Sequence, residues 1–242
     1  MKKIVLNGTV GTADFNNYET YVYIIGIDHN KEIEGTGITF GCFKDKNGKD
    51  IALVDNKYNS YSTDGTKYFN MNHSSNTNVG GWKGCDLRYD VLGSTNTKSG
   101  DATATTATNP VANTLMAALP SDLRAVMQPM TIYADNTGGG HNNASYVTKT
   151  TDYLPLLAEY EIFGTRTYAN SAEKNYQARY AYYSAGNSTV KYSNMTTSST
   201  VWWWERSPFY TSSDYFCIMR TNGSADYSNA WGSAGVAPIF RV

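Results

Sequence analysis

The residues of this chain that could do chemistry are few and scattered. His29, His73 and His141 lie far apart in polar, loop-like stretches, and each is expected to be a solvated loop histidine. Glu159 and Glu161 fall two residues apart on a short predicted helix, an offset that points them to different sides. They are not expected to face each other across a substrate. Glu205 and Arg206, beside Trp202, Trp203 and Trp204, are expected to form a buried ion pair at a turn. The cysteines are Cys42, Cys85 and Cys217, an odd number without metal-ligand spacing. They are expected to be small buried hydrophobes rather than disulfide partners. The run Gly138-Gly139-Gly140 has no predicted strand before it and no Lys-Ser/Thr after it, so it fails as a phosphate cradle. A G-x-S-x-G nucleophile elbow is missing. Such an inventory does not predict an enzyme, and no metal or cofactor is expected.

Recognition chemistry is better represented. The stretch VWWWERSPFY, residues 201–210, places three tryptophans just upstream of a polar tail. Tryptophan buries a large area at little entropic cost, which suits a core or a binding surface. From Phe209 to Ala234 the chain has no Lys, Glu or Gln and is rich in Ser, Tyr, Asn, Asp and Gly. That is paratope chemistry: Tyr gives rigid contact area, and Ser, Asn and Gly give adaptable hydrogen bonding. Within it, YFCIMR alternates, with Phe216, Cys217 and Met219 as core candidates and Ile218 and Arg220 facing away from Cys217 and Met219. Asn222-Gly223 then marks a turn. The turn should bring Phe209, Tyr210, Tyr215, Tyr227 and Trp231 onto one contiguous exposed face, with Arg220 and Asp226 among them. So many exposed aromatics are uncommon on a surface without a partner. An ordinary polar hairpin at a domain end would have the same composition.

The elements that must position these residues are mixed. The 242 residues are enough to bury a real core and suit one domain, 1–242. Lys+Arg 20 against Asp+Glu 21 leaves a net charge of −1, which argues against a nucleic-acid partner. Strands are predicted at 21–28, 37–43, 50–55 and 153–157, and a hairpin turn at Asp64-Gly65. Helices are predicted from an Asn109 cap and Pro110 to Pro120, from a Ser121 cap to Pro129, over 158–164 ended by Gly164, and over 171–187 with Tyr176, Tyr180 and Tyr183 on one side and Gly186 as stop. The stretches 97–110 and 134–145 are expected to be loops. With helices in the middle and strands at both ends, the pattern is α+β rather than βαβ. MKKIVLNGTV has no apolar run and is not expected to be a signal peptide. No stretch nears the roughly 20 apolar residues of a membrane span.

Several motifs then carry a family resemblance. NVGGWKG (78–84), LPSDLRAVMQP (119–129), LLAEYEIFGTRTY (156–168), WWERSP (203–208) and GVAPIF (235–240) occur in that order, with IIGIDHN and GITFG upstream. The set resembles variable proteins of diversity-generating retroelements and related phage and prophage proteins. It covers the chain from about Tyr21 to Val242. The resemblance implies a C-type-lectin-like fold of the formylglycine-generating-enzyme type, with FRV as its final strand. It implies that template adenines are copied with errors into the 3′ end of the gene, diversifying residues within 209–234.

The varied positions implied are Phe209, Tyr210, Ser212, Asp214, Tyr215, Ile218, Arg220, Ser224, Asp226, Tyr227, Ser228 and Ala234, with Cys217, Met219, Gly223, Ala225, Ala230, Gly235 and Pro238 as framework. The missing Lys, Glu and Gln fit, because an Asn codon ending in a pyrimidine cannot reach them through its adenines. Trp231 cannot arise that way either; it is framework or comes from another codon, and it is kept as a candidate contact. The implied partner is a protein or glycan on a bacterial cell surface, and the implied place is a phage tail or a cell surface. The alternatives are a structural virion or prophage protein without a variable ligand, and an enzyme of the formylglycine-generating type. The enzyme would need active-site cysteines, whereas Cys217 is expected in the core. Calcium-lectin sugar-site strings are missing.

Overall fold

A computed structural model describes residues 1–55, 69–194 and 198–242. Its strands are β1 (Lys2–Val10), β2 (Ala13–Ile27), β3 (Ile38–Lys44), β4 (Ile51–Ala52), β5 (Met130–Asp135), β6 (Val147–Asp152), β7 (Lys191–Ser193), β8 (Thr200–Val201), β9 (Trp203–Pro208), β10 (Tyr215–Met219), β11 (Ala225–Asn229) and β12 (Phe240–Arg241). Its α-helices are α1 (Lys31–Glu34), α2 (Gly81–Gly84), α3 (Thr105–Thr108), α4 (Leu115–Ala118), α5 (Ser121–Val126), α6 (Glu159–Phe163) and α7 (Ala181–Ser184). The fold is α+β, with strands and irregular segments dominating. No helix among the described residues is long and apolar enough to cross a membrane.

Among the described residues four small sheets form, in the orders β1-β2-β3-β12, β11-β10-β9, β4-β7-β8 and β5-β6. Pairing of β12 with β3 ties the end of the chain to the N-terminal hairpin. One core joins the sheets. Trp82, Trp203, Trp204, Phe43, Phe69, Phe216 and Phe240 are fully buried in it. Indole N–H groups are satisfied there: Trp203 Nε1 donates to the Thr189 carbonyl at 2.9 Å and Trp204 Nε1 to the Phe69 carbonyl at 2.8 Å. All three cysteines are free and buried.

Several expected elements are redrawn. The strand expected over 21–28 matches the C-terminal half of β2 but for its last residue, that over 37–43 matches β3 shifted by one residue, and 50–55 shrinks to β4. Asp64-Gly65 lies outside the described residues. The helix expected from Asn109 begins instead after Thr114, whose Oγ1 accepts from the Ala117 N–H. Asn113 has φ +60, a left-handed backbone that no α-helix can include, so the apolar run cannot start earlier. Asn109 instead closes α3, inside the stretch expected to be a loop. Ser121 is the first helical residue of α5, after Pro120, and α5 stops at Val126.

Residues 153–157 are buried but form no strand; their carbonyls serve other elements, Leu157 accepting from the Arg206 N–H and Pro155 from the Ile239 N–H. The helix expected over 171–187 splits into a 3-10 turn, Glu173–Asn175, and α7. Glu173 is drawn inward, where its carboxylate accepts from the Asp135 N–H, and Tyr176 turns out to solvent while Tyr180 and Tyr183 are buried. The end signals Gly164 (φ +71) and Gly186 (φ +82) hold. The β5–β6 hairpin, unanticipated, puts strands in the middle of the chain and one just before the glycine run.

Candidate ligand-binding surface

β10 is the centre of its sheet, with β9 on one side and β11 on the other. It turns into β11 through Arg220–Ser224, where Gly223 takes φ +84, as the Asn222-Gly223 signal requires. The hairpin register sets Cys217 opposite Tyr227 and Tyr215 opposite Asn229. Tyr215 and Tyr227 therefore share a face, with rings 5.2 Å apart. Phe209 stacks on Tyr227 at 4.3 Å with planes 10° apart, Tyr168 meets both edge-on, and Tyr210 meets Phe209 at 5.8 Å. The Arg166 guanidinium lies over the Tyr210 ring at 5.0 Å. Arg220 and Asp226 form an ion pair at the hairpin, close enough that Asp226 adds to the effect of burial in raising the Tyr168 phenol.

The loop between β9 and β10 is held by its main chain. Asn78, fully buried, donates from its side-chain amide to the carbonyls of Ser212 and Tyr215, each at 2.7 Å, and to that of Phe209 at 3.3 Å. Its Oδ1 accepts from the Gly139 N–H. The glycine run fits under this loop: a Cβ on Gly140 would lie 2.9 Å from the Ser212 carbonyl carbon, and one on Gly138 2.0 Å from the Asn78 oxygen. Glu159 fixes the Tyr168 segment in the same manner, its carboxylate accepting from the N–H groups of Thr167, Tyr168 and Ala169. The Tyr168 carbonyl in turn accepts from the Tyr210 N–H at 3.1 Å.

Beneath this surface is a buried polar layer. Arg206 does not pair with Glu205, because adjacent strand residues point to opposite faces. It makes a two-pronged pair with Glu161 at 2.6 and 2.7 Å and donates to the Leu156 carbonyl. Ser207 donates to Glu173. Glu205 is fully buried, and neither carboxyl oxygen has a hydrogen-bond partner among the described residues. Burial, reinforced by the charges of Glu159 and Glu173, pushes its carboxyl well above the usual range, and burial pushes Glu173 up to about 7.

Both groups hold their protons more tightly folded than unfolded. Their contribution to stability is complete below the ordinary glutamate range and is lost as pH rises through their folded values. Unfolding free energy measured by urea titration should therefore fall between about pH 5 and pH 7. Glu205→Leu should raise it by about 1–3 kcal/mol at neutral pH, by removing an unpartnered polar group, and should flatten the fall. A loss of stability in that variant at neutral pH would mean that the carboxyl is satisfied.

Phe209, Tyr210, Ser212, Asp214, Tyr215, Ser228 and Trp231 are half-buried, while Arg220, Ser224 and Tyr227 are exposed. The aromatic face exists, though its rings pack on one another and cover more of themselves than expected; Trp231 stands outside those ring contacts. Three candidate contacts need correction. Ile218 is fully buried: β10 is covered on both faces, so the alternation that would turn one face to solvent does not apply. Ala234 is buried against the core, its N–H bonded to the Phe69 carbonyl. Asp226 is 8% exposed and engaged with Arg220. Among the histidines, His141 is exposed, but His29 stacks on Tyr180 at 3.6 Å and burial lowers its pKa, and His73 bonds Asn70 and lies 3.4 Å from Asp90.

Residues 52–242 match the family described as Domain of unknown function (DUF6273). The chain belongs to this family. The DUF6273 span takes in the aromatic face, Asn78, Glu159 and the buried polar layer, and leaves β1–β3 outside it. No curated protein and no solved structure matches the chain.

Sequence reasoning missed Tyr168, Arg166 and Asn78 as parts of this surface. Tyr168 and Arg166 lie in GTRTY and Asn78 opens NVGGWKG, so each sits in a recognised motif, yet nothing local links them to residues 209–227.

Proposed function

We propose that this DUF6273 chain is a variable ligand-binding protein of a diversity-generating retroelement. In this proposal it has a C-type-lectin-like fold of the formylglycine-generating-enzyme type and is carried on a phage virion or a bacterial cell surface. The surface around Phe209, Tyr210, Tyr215, Tyr227 and Trp231 takes a protein or glycan ligand, and the chain is not an enzyme. One observation supports this most: the 209–215 and 167–169 segments are held through backbone groups by Asn78 and Glu159. Side chains on them can change while the backbone path stays, which is what a diversified surface needs.

The genomic test is sequencing around the gene for a near-identical repeat of the 3′ end, differing at adenines, beside a reverse transcriptase gene. If both are missing, diversification is excluded and a structural virion or prophage protein becomes the better account. The binding test is alanine substitution. Tyr227 is the most exposed of the five and is the cleanest probe; Tyr227→Ala should leave the melting temperature nearly unchanged. Binding to the cognate ligand, measured by calorimetry, should weaken by about 1 kcal/mol or more at two or three of the five aromatics. Undiminished affinity across all five variants would remove this face as the binding site.

A further inference from the structure

A second surface lies on the N-terminal sheet, remote in sequence from residues 209–234. Directly paired residues share a sheet face. The pairings Lys2–Val22, Ile24–Phe40, Ile27–Ile38 and Phe40–Phe240 therefore place Val22, Ile24, Ile27, Ile38, Phe40 and Phe240 together with Lys2. One end of this apolar face is overhung by α5, whose Leu123 and Val126 wall a groove of about 540 Å3 over Ile4, Val22, Phe40 and Phe240. Away from the groove the sheet face is open, with Ile27 68% and Ile24 42% exposed, and Val126 on the α5 wall of the groove is itself 59% exposed. Two isoleucines so exposed on the sheet face, with an exposed valine on the helix that walls its groove, mark an interaction surface rather than scattered surface apolar residues.

The charges at the groove indicate the occupant. Lys2 stands on the β1 bank and Asp122 on the α5 bank, and neither has an ion-pair partner among the described residues. A small anionic or cationic ligand would leave one of these two charges facing its like. An isologous two-fold contact matches both, because each copy supplies the patch that its partner needs. We propose that this face binds a second copy of the chain across a two-fold axis, with Ile24, Ile27 and Val126 at its centre and Lys2 of each copy against Asp122 of the other. The aromatic face is left free in both copies, so the proposal does not depend on the ligand reading.

The test is sedimentation equilibrium on the full chain, from about 1 to 200 µM, a range that spans weak to moderate self-association. A monomer–dimer equilibrium is expected. Ile27→Glu should weaken it at least about 100-fold, as expected for a charge placed in a desolvated interface centre. Lys2→Asp and Asp122→Lys should each weaken it by like-charge opposition, and the double variant should recover most of the loss. Circular dichroism of each variant separates dimer loss from misfolding, and Val126→Glu on α5 serves if Ile27→Glu fails to fold. A monomer throughout the range, a dimer unaffected by the apolar-to-Glu changes, or no recovery in the charge-swapped double variant would each overturn the proposal.

Discussion

Trp203→Ala should lower the unfolding free energy by about 3–5 kcal/mol, the cost of truncating a fully buried tryptophan. Trp203 is 0% exposed, pairs across the sheet with Met219, donates from its indole to the Thr189 carbonyl, and lies under the Lys191 ammonium at 5.1 Å. Truncation leaves a cavity beside the turn end of the hairpin and takes the indole donor from the half-buried Thr189 carbonyl. Guanidinium titration should show the midpoint moving down with little change in slope. If the variant kept its midpoint and lost only ligand binding, the tryptophan run would belong to the contact surface and not to the framework.

Arg206→Met should be as costly, about 3–5 kcal/mol, because it strands Glu161 as an uncompensated buried charge. The second change, Glu161→Leu, made in the Arg206→Met background, should restore a large part of the loss, with a coupling of about 1–3 kcal/mol. The recovery should be incomplete, since Glu161 also accepts from the Ala158 N–H at the start of α6. Additive losses in the double-mutant cycle would mean that the two side chains act independently, contrary to their 2.6 and 2.7 Å contacts.

The sequence pattern was informative where the signal is local. Gly164, Gly186 and Asn222-Gly223 stop or turn the chain where their backbone freedom predicts, and the Tyr-rich, Lys-free tail does form an aromatic cluster. Local pattern failed where tertiary contacts take over. Glu173 turns inward to the Asp135 N–H, and the helix expected through it breaks. Ile218 alternates like a half-exposed strand residue, but its strand is covered on both faces. Asn78 reaches Ser212 across 134 residues, so no window of sequence contains that interaction. Glu159 reaches from α6 to the Tyr168 N–H within LLAEYEIFGTRTY, but helical periodicity carries no signal for a carboxylate turned onto backbone N–H groups beyond the helix end. The pairing of Arg206 with Glu161, 45 residues away, in place of its neighbour Glu205, has the same origin.

The close approach of Gly140 to the Ser212 backbone limits the kinds of change that the surface can accept. A carbonyl–amide bracket anchored at Phe209, Ser212 and Tyr215 fixes how many residues lie between its anchor points. Adding or deleting one residue there would shift a carbonyl off Asn78 and press the loop onto a glycine with no room for a side chain. The surface is thus permissive in identity and strict in length. Variation that enters as base substitutions preserves the count, whereas variation by insertion would dismantle the bracket before it could alter what the surface touches.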